Sequence, residues 1–199
     1  IPVGDVNLVE TILDQDDDIA AIILEPTGAG FGRVPLAPEY VHFLRSITNK
    51  HNVVLIFDEV VTGFRVRPGG AQQRLGISPD LTTMAKIVAG GLPGGAVGGR
   101  SEIMDQVDMS RSTNRIPHPG TFNANPLSAA AGCACLTLIN NEPLTERAEN
   151  AAIRLCDGLN RLFVDTKTQG FSYRDASMVQ VAPNIPGDGS LKSIQTALP

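Results

Sequence analysis

Five apolar residues in succession, Val53-Val54-Leu55-Ile56-Phe57, stop at two acids, Asp58 and Glu59. An unbroken β-branched and aromatic run of that length, bounded by turn formers, reads as a strand fully buried in a sheet. A second such run covers residues 19 to 24 and ends at Glu25-Pro26. Between the two, from residue 38 to 49, Tyr40, Phe43, Leu44 and Ile47 recur at helical spacing, with Val41 on the flank of the same face. Lys50 and His51 follow in the last turn, where the helix dipole favours cations. Strand, helix, strand at this spacing is a βαβ unit, which requires a parallel sheet joined by a right-handed crossover.

Open sheets of this kind place ligands at the C-terminal ends of their strands. Asp58 stands at one such end. Lys86 closes a further strand candidate at residues 81 to 84, and is followed by the glycine-rich Ala89-Gly90-Gly91-Leu92-Pro93-Gly94-Gly95. A carboxylate and an amine delivered to one sheet edge suit acid–base or Schiff-base chemistry. Taken singly, each has a plainer reading: an Asp after a strand caps the next turn, and a Lys is a solvated charge.

The rest of the pattern fills out an α/β chain with a mostly parallel sheet and helices on both faces. Val6, Leu8, Val9, Ile12 and Leu13 make an amphipathic helix within residues 5 to 18. Residues 63 to 80 are loop-rich with a short helix at 71 to 75, and Ala96-Val97 is a short strand. Ser101 is placed as the cap of a helix reaching Val107, and residues 108 to 120 as a mobile surface segment. A long helix spans residues 125 to 140, with Pro126 in its first turn. A second runs from 142 or 143 to about 164, with Leu144, Ala148, Ala151, Leu155, Leu159 and Leu162 as its apolar stripe. Gly170 breaks that pattern, and Ser177-Met178-Val179-Gln180-Val181 reads as a strand of a new, smaller unit. The tail from Pro183 gives no clear element. The implied division is a partial large domain at 1–140, then a connecting helix and an incomplete small α+β domain at 141–199.

Sixteen basic against 21 acidic residues leave a net charge of −5, with no basic patch of the kind that binds nucleic acid. No apolar run has the length of a membrane span. The three cysteines, Cys133, Cys135 and Cys156, complete no zinc pattern with the three histidines, and suit small core positions in a reducing, cytoplasmic setting. His42, His51 and His118 lack the spacing of a metal site or triad and read as surface or helix-end residues. Gly28-Ala29-Gly30-Phe31-Gly32 lacks the third glycine of a dinucleotide fingerprint, and Lys86 is not in a phosphate-binding-loop context.

Three segments, LIFDEVVTGFR, PDLTTMAKIVAGGLPGGAVGGR and HPGTFNANPLSAAAG, stand in this order in the chain. Together they resemble the class III (subgroup II) pyridoxal-phosphate aminotransferases, most closely the branch that includes glutamate-1-semialdehyde 2,1-aminomutase. The resemblance covers roughly residues 1 to 165. It implies the large domain of PLP-dependent transferase fold type I and pyridoxal 5'-phosphate as cofactor. Lys86 is then the Schiff-base lysine and later a general base, and Asp58 the acid beside the pyridine nitrogen. Val60 is the residue packed on the cofactor ring, and Thr121 the hydroxyl that reaches the phosphate of a neighbouring subunit's cofactor. Glu59, facing away from Asp58, is structural, and so is Glu25.

Omega-amino-acid aminotransferases of this class often carry a glutamate five residues beyond the one matching Glu25; here Gly30 stands there. That departure argues against the γ-aminobutyrate and ornithine type. It leaves the aminomutase-like branch, or aminotransferases for β-amino acids and related amines. The resemblance further implies a homodimer with interface active sites that acts on small-molecule amino donors and acceptors. The family's subunits are longer than 199 residues. A phosphate-binding loop and a stacking aromatic normally precede the matched part, and a carboxylate-binding arginine follows it, so one copy of this chain is not expected to complete a site. Two readings follow: the central part of a PLP-dependent enzyme, or a truncated, catalytically silent binding or assembly module on the same fold.

Overall fold

The computed structural model describes residues 1–2, 4–108, 110, 115–187, 190 and 194, with Phe31 described by its backbone alone. In chain order the elements are α1 (Val6–Gln15), β1 (Ala21–Leu24), α2 (Ala29–Gly32), α3 (Pro38–His51), β2 (Val54–Asp58), α4 (Gly70–Leu75), β3 (Leu81–Ala85), β4 (Gly95–Gly99), α5 (Ser101–Met104), α6 (Pro126–Asn141), α7 (Leu144–Asp165), β5 (Gly170–Asp175) and β6 (Met178–Pro183). Short 3-10 turns cover Lys86–Ala89 and Asp105–Val107.

Strands β1 to β4 form one sheet in chain order. β1, β2 and β3 run parallel, and β4 returns antiparallel on β3. The apolar faces of α1 and α3 cover one side of it: Val9, Leu13, Val41, Leu44 and Ile47 bury against Leu55 and Phe57. Full burial of side chains of this size contributes about 1.5–3 kcal/mol each. The helix ends are set locally. Asp5 accepts from the Leu8 N–H at 2.9 Å to start α1. Pro38 opens α3, and Asn52, left-handed at φ 55°, closes it.

β2 departs from the fully buried strand that its composition predicts. Leu55 and Phe57 are inaccessible, whereas Val54, Ile56 and Asp58 are half-buried. The helices described cover one face, so the alternation of the strand becomes visible as alternating exposure. The face left open is the one that carries Asp58.

A single buried side chain knots the elements of this half together. Asp80, 6% exposed, accepts the Leu55 N–H at 2.8 Å and pairs with Arg45 of α3 at 3.0 Å. Its other oxygen faces Arg100, just past β4, at 3.2 Å. The Asp80 N–H in turn donates to the Leu55 carbonyl at 2.8 Å, and its carbonyl accepts from the Arg100 N–H at 2.9 Å. These contacts fix the register of β2 against the start of β3.

Strands β5 and β6 form a separate two-stranded antiparallel hairpin. β5 went unseen in the sequence because Gly170 reads as a breaker; its Phe171-Ser172-Tyr173 core was the available signal. α7 packs on this hairpin, though not through the stripe its spacing predicts. Ala152 and Cys156 are its buried residues, whereas Leu155 and Leu162 are 55% and 57% exposed. The choice of face follows from hydrogen bonding. Asn160 accepts the Ser172 N–H at 2.6 Å and donates to the Ser172 carbonyl at 2.9 Å, and the Ser172 hydroxyl meets Cys156 Sγ at 3.1 Å. Small residues at 152 and 156 let the hairpin come close enough for that pairing.

Ion pairs tie the hairpin to α4 and the loop before it. Arg74 forks onto Asp175, and Glu149 of α7 takes Arg67 and Arg174, each at 3.2 Å. Two further expectations shift. Arg100, not Ser101, occupies the cap position of α5, and that helix ends at Met104 before a 3-10 turn. The segment expected to be mobile, residues 108 to 120, falls partly on residues 109 and 111–114, which lie outside those described, as does much of the tail after Pro183.

The Asp80 knot makes acid stability testable. Burial alone would raise its carboxyl, but the Leu55 N–H, Arg100 and Arg45 outweigh it and hold Asp80 below the ordinary 3.8. A carboxyl depressed in the folded state adds stability above its unfolded value and loses it as pH falls through the folded one. Asp80→Asn is therefore expected to lower Tm at pH 7, with the gap to wild type closing below about pH 4. Thermal melts of both proteins from pH 7 to pH 3 check this.

Candidate active site

The register of the parallel strands sets the site. Asp58, last residue of β2, lies beside Thr83 of β3. Thr83 donates its hydroxyl to Asp58 Oδ1 at 3.3 Å, and the Val60 N–H donates to the same oxygen at 3.0 Å. Both described hydrogen bonds of the carboxylate thus fall on Oδ1 and orient the group. β2 ends at Asp58 and Val60 already lies in a turn, so strand alternation does not place Val60. The N–H contact with Asp58, made by a half-buried residue, is what keeps it beside the acid.

Lys86 follows β3 directly, three residues past Thr83 and so roughly 10 Å further along the strand. Its backbone is left-handed, with φ 56°. A non-glycine residue held there costs on the order of 1 kcal/mol, and such strain collects at functional sites. The side chain is exposed, and among the described residues its amine has no ion-pair partner.

The turn that bears Lys86 is clamped by α6 through backbone-to-backbone contact. A Cβ added at Gly132 would lie 2.4 Å from the Val88 carbonyl oxygen, and one at Gly90 would lie 2.5 Å from the Ala131 carbonyl carbon. No side chain fits between the two segments. Sequence reasoning missed this pair, since Gly132 sits unremarked in an alanine-rich helix; Thr83 was missed too, although Thr82-Thr83 is a polar pair inside a strand beside an acid.

The neighbouring acid does something else. Glu59 is 1% exposed and accepts from Thr62, Ala71 and Gln72, which makes it structural. Glu25 closes its glycine-rich turn by accepting the Gly30 N–H at 3.0 Å. Thr121 is exposed in a turn before α6, with no described contact to Asp58 or Lys86. The turn borders a cleft of about 560 Å³ lined by Val88, Pro93, His118, Phe122, Asn125 and Ser128. The Ser128 hydroxyl donates to the Pro93 carbonyl at 2.7 Å, joining α6 to the glycine-rich loop. So the structure gathers Asp58, Val60 and Thr83, sets Lys86 just beyond them, and leaves Thr121 apart. Among the described residues no three His, Cys, Asp or Glu gather as metal ligands, and no helix is long and apolar enough to cross a membrane.

Gly132→Ala decides whether the clamp matters. In an unconstrained helix interior the change would stabilise by about 1 kcal/mol. Here overpacking against Val88 reverses the sign, and we expect a loss of about 1–3 kcal/mol in urea unfolding.

The family model "Aminotransferase class-III" matches residues 5–170. Over 154 residues the chain is 50% identical to a glutamate-1-semialdehyde 2,1-aminomutase of Rhodopirellula baltica, covering 77% of this chain and 34% of that protein. It superposes on an omega-transaminase from Sphaerobacter thermophilus with a TM-score of 0.86 at 33% identity, over 98% of this chain and 44% of that one. A transaminase with PLP bound gives a TM-score of 0.82 at 32% identity, over 91% of this chain and 42% of that one. The chain spans about a third of the length of the curated relatives it matches. With a family match that runs from α1 through α7 and includes both Asp58 and Lys86, the chain belongs to the class-III aminotransferases.

Proposed function

We propose that the protein carrying this chain is a pyridoxal-phosphate-dependent aminotransferase or aminomutase, with Lys86 holding the cofactor covalently and Asp58 pairing with its pyridine nitrogen. The observation that carries this is the β2–β3 register, which sets an oriented carboxylate and a strained, solvent-facing lysine at adjacent strand ends. The donor set fits the group: an oriented carboxylate and an exposed amine stand at neighbouring strand ends. Half-buried Val60 lies beside that space. Fifty per cent identity to an aminomutase, and Gly30 where ω-amino-acid enzymes carry glutamate, favour the aminomutase-like branch.

When bound, pyridoxal phosphate supplies an electron sink for carbanion chemistry at an amino-bearing carbon. Asp58, its Oδ1 held by Thr83 and Val60, would pair with the ring nitrogen and favour its protonated form. Lys86 Nζ would hold the cofactor covalently, and its amine would serve as the base that moves a proton at the substrate carbon. The hydroxyl of Thr121 would reach a phosphate across a homodimer interface, and the 76% exposed Phe122 and 69% exposed Leu127 beside it supply apolar area for that contact. We read the break between α6 and α7, near residue 140, as the boundary between large and small domains. Three unpaired cysteines suit a cytoplasmic setting.

Lys86→Ala is expected to keep the wild-type circular dichroism and lose covalent cofactor attachment. Asp58→Asn should retain cofactor but lower turnover by about 100-fold or more, since the ring nitrogen loses its charge partner. Cofactor absorbance and amino-transfer assays on the two variants check both. Unchanged turnover in Asp58→Asn would mean another group serves the nitrogen, and no cofactor uptake by the wild type would favour a silent binding module.

A further inference from the structure

We infer that Glu59 is a positioning residue for Asp58, fixing the turn that aims the cofactor-facing carboxylate; the inference rests on the function proposed above. The two acids are adjacent in sequence yet opposite in circumstance. Asp58 is half-buried, with its described hydrogen bonds on one oxygen. Glu59 is fully buried, and each of its oxygens accepts two hydrogen bonds. Oε2 takes the Thr62 hydroxyl at 2.8 Å and the Ala71 N–H at 2.7 Å. Oε1 takes the Gln72 N–H at 3.0 Å and the Gln72 side-chain amide at 3.2 Å. A carboxylate is tolerated at that depth only when its charge is met this completely.

The donors come from the two ends of one segment. Thr62 belongs to the turn leaving β2, and Ala71 and Gln72 to the first turn of α4. One carboxylate therefore pins a loop of about ten residues at both ends. The fit around the carboxyl group is tight: Gly70 has φ 75°, and a Cβ there would lie 2.7 Å from the Glu59 carboxyl carbon. A Cβ on Gly63 would lie 2.7 Å from the Glu59 carbonyl oxygen. At Gly63 the obstacle is backbone, and at Gly70 it is the Glu59 carboxyl group itself, which would have to leave its donors to make room.

The link to Asp58 is short. The Glu59 N–H donates to the Thr83 carbonyl at 2.9 Å, and the hydroxyl of that same Thr83 holds Asp58. The peptide unit after Glu59 carries the Val60 N–H, the other donor to Asp58. Rotation of the backbone at Glu59 would turn that N–H away and free the carboxylate. The buried anchor of the Glu59 side chain opposes such rotation.

Glu59→Gln keeps the shape but turns an amide NH₂ toward N–H donors, and Thr62→Val removes one donor and leaves the charge. The test measures pyridoxal phosphate affinity and the pH midpoint of bound-cofactor absorbance in the full-length protein, well below Tm. Wild type, Asp58→Asn, Glu59→Gln and the double variant form a cycle. Glu59→Gln is expected to weaken affinity about ten-fold, the size typical of a supporting group behind a binding residue. The pH midpoint should move in the same direction as in Asp58→Asn. In the Asp58→Asn background the further loss should stay under about two-fold, because the group being positioned is already gone. Thr62→Val should show the same pattern more weakly, and carries the comparison should Glu59→Gln not fold. A lowered Tm with unchanged spectrum and affinity, or equal losses in both backgrounds, would overturn the inference. A wild type that takes up no pyridoxal phosphate would instead overturn the functional reading beneath it.

Discussion

Asp80 decides which residue of β3 lies beside which residue of β2, and the site descends from that register. Its carboxylate is bound at once by β2, α3 and the residue after β4, so a slip of the parallel pair would break several charge-assisted contacts together. A shift of one residue would also turn Thr83 to the opposite face, since side chains alternate along a strand. Asp58 would then lose the hydroxyl that orients it. The apolar packing of α1 and α3 supplies most of the stabilisation, but it is non-directional and cannot specify register by itself.

Neighbouring features make the same division of labour between bulk burial and specific contact. The turn bearing Lys86 is held by two glycines that let backbone meet backbone, and a left-handed lysine persists there because the surroundings fix it. At the other end of the site, Glu59 is buried on the N-terminus of α4, and α4 reaches the second sheet through Arg74 and Asp175. The acid next to the candidate cofactor acid thus connects the strand end with the hairpin, through hydrogen bonds and an ion pair.

Much of this was legible in the sequence. The βαβ unit, the strand ends at Asp58 and Lys86, and both long helices follow from apolar periodicity and turn chemistry, and the resemblance of three segments implies roles for those two residues. What failed had physical causes. The α7 stripe was read from apolar spacing, yet Asn160 and Cys156 chose a face about a quarter-turn round the helix by hydrogen bonding to β5. β2 looked buried on both faces because composition does not say what lies above a sheet. That Glu59 is structural was legible; the partners that hold it, from as far away as Gln72, were not, since only folding brings them together. The left-handed backbone of Lys86 leaves no trace in residue type, since left-handed positions are ordinarily marked by glycine or asparagine.

The central claim is that Lys86 and Asp58 serve one bound group, with the lysine as its covalent anchor. Borohydride reduction of the protein loaded with pyridoxal phosphate, followed by peptide mass mapping, tests it most directly. The account predicts one phosphopyridoxyl adduct, on the peptide containing Lys86. An adduct confined to Lys50, Lys167 or another lysine, or none on a folded and cofactor-saturated protein, would contradict it.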